Sequence, residues 1–90
     1  MANRKSLKHS ITLICSDLFA ECMAVSLYDA KVPDEDIETI FRSIIHLETD
    51  FISRISHVEP GIPAKKYFKE LREQFSIQVS DIIDHIYNLH

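Results

Sequence analysis

The stretch DEDIETIFRSIIHLETDFISRISHV, Asp34 to Val58, decides the fold. At about 100° per residue, Ile37, Ile40, Phe41, Ile44, Ile45, Leu47, Phe51, Ile52, Ile55 and Val58 all fall on one half of a helical wheel. Such a period predicts one long amphipathic helix. Asp34, Glu35, Asp36 and Glu38 crowd its start, where the positive end of the helix dipole favours acids and Asp34 suits a cap.

Working outward, the helix is bounded by two breaks. KVPDED (Lys31–Asp36) places Pro33 where a preceding helix must stop, and EPGIP (Glu59–Pro63) offers Gly61 to end one helix and Pro63 to open the next. Beyond the second break, Phe68, Leu71, Phe75, Val79, Ile82, Ile83, Ile86 and Leu89 form a second apolar stripe. Before the first, Leu7, Ile11, Ile14, Cys15, Leu18, Cys22 and Val25 form a third, with Ser6 as a candidate cap. The expected elements are helices over about residues 7–30, 34–58 and 63–89, within one domain spanning 1–90. Short connections make neighbours antiparallel, so the fold class is all-α: an up-down-up three-helix bundle about 35–40 Å long. A single glycine, and no Asn-Gly or Asp-Gly pair, argues against a hairpin-rich β fold.

Helix 1 has a second apolar side. Leu13, Ala20, Met23, Ala24 and Leu27 lie opposite its core face, although a three-helix bundle gives each helix only two neighbours. A helix apolar on both sides expects a further partner, and Ala20 and Ala24, four apart, permit close approach. The expectation is self-association into a larger helical bundle, most simply an isologous dimer. A different protein partner is the variant reading.

Glu48 is the anomaly in helix 2. It projects into the apolar half, with Ile44, Ile45, Phe51 and Ile52 as its neighbours one turn away. A buried carboxylate is costly unless paired, and folding helix 3 back across EPGIP sets Gln74 level with Glu48 and Arg72 within a turn. Glu48, Arg72 and Gln74 are therefore the expected buried polar group. Two other readings stand beside it: the flexible side chain reaches water, or Asp17, Glu21 and Glu48 gather into a carboxylate metal site.

Charge is sorted by end. In an up-down-up bundle Arg4, Lys5, Lys8, His9, Arg54, His57, Lys65, Lys66 and Lys69 collect at one pole. Asp29, Asp34, Glu35, Asp36, Glu38, Asp81 and Asp84 collect at the other. Arg4, Lys5, Lys8, Lys65, Lys66 and Lys69 are the candidate anion contacts, since helix starts and lysines together suit a phosphate backbone or an acidic partner. Tyr67 is the one aromatic there available for base stacking. A solvated face is the favoured account of the pole, ahead of anion or protein contact.

Chemistry has little to build on. The chain contains no Glu-x-x-His, His-Glu-x-x-His or Cys-x-x-Cys, and one glycine cannot make a phosphate-cradling loop. No serine has a base placed by a motif. The expectation is a non-enzymatic module without cofactor. The net charge of −4 does not mark a general nucleic-acid binder. Cys15 and Cys22, about 10 Å apart along one helix, are too distant to bridge and suit a reducing compartment. With ITLIC (Ile11–Cys15) the apolar run behind the basic start, no targeting peptide or membrane span is expected. Together these point to a cytoplasmic interaction or assembly module. Nucleic-acid or anion binding by the basic pole is the alternative, and a carboxylate metal bundle the more distant one.

Overall fold

The computed structural model describes residues 4–58 and 60–89. Three helices follow one another: α1 (Arg4–Tyr28), α2 (Asp34–Ser56) and α3 (Ala64–Tyr87), with no strand among the described residues. The protein is an all-α up-down-up bundle.

The helix ends differ in detail from expectation. Pro33, not Asp34, is the cap residue of α2; its extended backbone (φ −62°, ψ 141°) leaves Asp34, Glu35 and Asp36 as the first turn. Those acids act on the dipole rather than as a cap. Pro63 likewise stands just before α3, which starts at Ala64. The early start of α1, at Arg4, places Ser6 inside the helix, where its carbonyl accepts from the Ser10 hydroxyl at 3.1 Å. Gly61 does not terminate α2, which His57 closes through an N–H bond to the Ser53 carbonyl. Gly61 instead turns the loop, with φ +90°, a conformation open to glycine and costly for other residues.

The core runs along the α1–α2 seam. Ile11, Cys15, Leu18, Cys22 and Val25 of α1 are buried against Ile37, Ile40, Ile44, Leu47, Phe51 and Ile55 of α2. Val32, in the turn between them, is buried too. From α3 only Leu71, Phe75 and Ile86 are fully buried; Phe68, Val79, Ile82, Ile83 and Leu89 pack at the margin. The third helix rests mainly on α2, with Phe75 set edge-on to Phe51 at 5.2 Å, and touches α1 little. That arrangement leaves Ile14 of α1 38% exposed, although the wheel assigns it to the core face.

The molecule is consequently long and thin, 49 × 18 × 16 Å, with a radius of gyration of 14.9 Å against about 12 Å for a compact chain of this length. It exposes 6412 Å² of surface, whereas a compact monomer of its 10.4 kDa exposes about 5,400 Å².

Candidate interaction surfaces

The outer side of α1 is uncovered. Leu13 and Met23 are each 52% exposed and Leu27 is 80% exposed. Ala20 lies in the open between them and Ala24 is half-buried. The five share a face because their spacings approximate whole helical turns, and the buried set from Ile11 to Val25 lies directly opposite. Tyr28, 90% exposed, extends the apolar surface at the end of the helix. This face carries the sequence expectation of a second partner, and none of the described residues covers it.

By length and composition α1 is also long and apolar enough to cross a bilayer, which the expectation of no such segment did not foresee. That expectation considers unbroken apolar runs; over an 18-residue stretch of the helix the acids Asp17 and Glu21 are diluted among many apolar neighbours. One side of the helix nevertheless forms the core of the bundle.

Glu48 does not join the expected pair. It is half-buried in the α1–α2 seam, and among the described residues it has neither a hydrogen bond nor a salt bridge. No buried, unpartnered side-chain oxygen or nitrogen occurs among those residues, so the Glu48 carboxylate reaches water. Arg72 and Gln74 are both exposed. The physical reason is rotation about the helix axes: Glu48 lies toward α1, whereas Gln74 faces α2 from its opposite flank. Glu48 does leave a mark on its neighbour. Burial, and secondarily the Glu48 charge, push the Cys15 thiol from an ordinary 9.0 up to about 11. Burial raises the Cys22 thiol as well. Both cysteines are free.

The polar pairing at that level is built around Arg54 instead. Its guanidinium donates to Gln74 Oε1 at 3.0 Å, pairs with Asp50 at 2.9 Å and lies 4.7 Å above the Phe51 ring. The Tyr67 hydroxyl donates to the Arg54 carbonyl at 3.0 Å and its ring stands edge-on to Phe68 at 5.6 Å. Tyr67 is thus engaged as a brace between α2 and α3 rather than presented for stacking. This cluster was missed from sequence, although Asp50 four residues before Arg54 was a usable signal.

A groove of about 780 Å³ lies between α2 and α3, lined by Thr39, Arg42, Ser43, His46, Leu47, Asp50, Gln78, Asp81 and Ile82. Thr39 and Ser43 spend their hydroxyls on backbone carbonyls one turn back, and Asp50 is held by Arg54. Among the described residues no three His, Cys, Asp or Glu side chains are placed to hold a metal ion. Asp17, Glu21 and Glu48 are accordingly not gathered into a site.

At the basic pole, the starts of α1 and α3 lie at the same end of the bundle, as the topology requires. Arg4, Lys5, Lys65, Lys66 and Lys69 are exposed and Lys8 is half-buried; none has a salt-bridge partner among the described residues. Arg54 is withdrawn from the set by Asp50. The molecule is thus defined as a small helical bundle with one unpartnered helix face and charge sorted between its ends. Compared with known protein families, curated proteins and solved structures, the chain matches none.

Proposed function

We propose that this chain is a small non-enzymatic assembly module that pairs with a second copy through the outer face of α1. The observation that carries the reading is the row of Leu13, Ala20, Met23 and Leu27, exposed on a helix whose opposite side is already the core. Covering that row stabilises by about 25 cal/mol per Å² of apolar surface removed from water.

Two substitutions test it. Ala24→Arg and Leu27→Glu each place a charge on the face without touching a fully buried side chain. Light scattering after size exclusion should show the assembly reduced to monomer, and circular dichroism should show the helices retained. An assembly that survives both changes would remove α1 from the interface.

A second reading rests on a separate observation, the unpaired cations at the basic pole. There the chain would bind a phosphate backbone through Lys65, Lys66 and the start of α1. Reversing Lys65 and Lys66 to Glu should then abolish salt-sensitive binding to a nucleic-acid probe. Binding equal to that of the unaltered chain, or none from either protein, would sink this alternative.

A further inference from the structure

Given the pairing proposed above, we infer that the two copies meet antiparallel, with Ala20 of each near the two-fold axis. The two leucines of the row are placed symmetrically about that residue. Leu13 and Leu27 each lie seven residues from Ala20, about 10 Å along the axis, so an antiparallel crossing sets Leu13 of one copy against Leu27 of the other. The small residue at the centre lets the helix axes approach there, and the leucines close both ends.

A parallel pair would also match apolar with apolar, so charge decides the orientation. Lys5 and His9 continue the row beyond Leu13 at four-residue spacing, on the same side of α1, and both are exposed. In a parallel pair each faces its own copy. In the antiparallel pair they pass Leu27 of the other copy and arrive at its α1–α2 turn, about 12 Å further on. That turn carries the exposed Lys31 and leads into Asp34, Glu35 and Asp36, which outnumber it, are exposed and have no salt-bridge partner among the described residues. Opposite poles meet twice, once at each end. Asp17 and Glu21 flank the row on one side, so the antiparallel crossing brings the acids of the two copies near each other at the exposed rim, a solvent-screened repulsion set against the attraction at both ends.

Disulfide trapping distinguishes the arrangements. Leu13→Cys and Leu27→Cys are prepared as separate chains that keep Cys15 and Cys22, whose burial holds them out of reaction; the unaltered chain serves as the blank. Under mild oxidation the mixture should form a covalent dimer containing one of each chain, with little from either variant alone. Efficient self-linking of either variant alone would overturn the antiparallel arrangement in favour of a parallel one. A dimer by light scattering that links in no combination would overturn it while leaving self-association standing. A monomer at every concentration would remove both. Circular dichroism of each variant establishes that folding is retained, and exchange to Ser at the same positions gives the mass of each variant without its thiol.

Discussion

Glu48 and Cys15 face each other across the α1–α2 seam, and the thiol registers the carboxylate's charge. Because the carboxylate has no partner among the described residues and reaches water, Glu48→Gln should change stability by no more than about 0.5 kcal/mol, far from the several kcal/mol lost on breaking a buried pair. Glu48→Leu should raise it by about 0.5–1 kcal/mol, through added apolar burial. Urea unfolding of both variants at neutral pH checks this, and a loss above about 2 kcal/mol for Glu48→Gln would mean the charge is paired after all. The thiol gives a pH prediction of definite sign. Below pH 9 both folded and unfolded chains keep the Cys15 proton; between 9 and about 11 the unfolded chain releases it first. Stability should therefore fall across that window by an amount of order 2 kcal/mol. The fall should be smaller in Cys15→Ala, and slightly smaller in Glu48→Gln because burial is the larger cause of the shift. Equal slopes for wild type and Cys15→Ala would contradict the assignment.

At the scale of elements, α2 was the most legible, and for a physical reason. Its apolar period holds along the whole helix with Glu48 as the exception, it lies between the other two helices, and six of its side chains are buried. The stripe of α3 was equally clear in direction but overstated in depth. A wheel tells which way a side chain points, not how closely a neighbour sits, and α3 barely meets α1. Glu48 was misjudged for a related reason: an apolar sector of the wheel also contains positions from which a long side chain can reach solvent. The contact of Phe19 with Phe41, centroids 5.4 Å apart, needed the seam to be known and had no local signal. Two predictions belong here. Gly61→Ala should cost about 1 kcal/mol, wholly from backbone conformation, since an added Cβ would meet nothing within 4 Å. Arg54→Ala should cost about 1–2 kcal/mol by releasing Asp50 and Gln74 and uncovering Phe51. Thermal melts of each, referred to wild type, provide the check, and a neutral Arg54→Ala would mean that the brace between α2 and α3 carries no weight.

On the scale of the molecule, two asymmetries stand out: a helix apolar on both sides, and charge divided between the poles. The first was visible in the sequence as the row from Leu13 to Leu27, and the structure leaves that row uncovered. The second follows from topology, since parallel α1 and α3 start at the same end. The proposed self-association would join them, because one antiparallel contact would cover the row and bring unlike poles together. The most direct test is the solution mass by light scattering on a sizing column, at low and at moderate salt, across a range of protein concentration. The account predicts a dimer at both salts, with dissociation beginning at higher protein concentration in the saltier buffer as the pole-to-pole attraction is screened. A monomer throughout, with the outer face of α1 left in water, would contradict it.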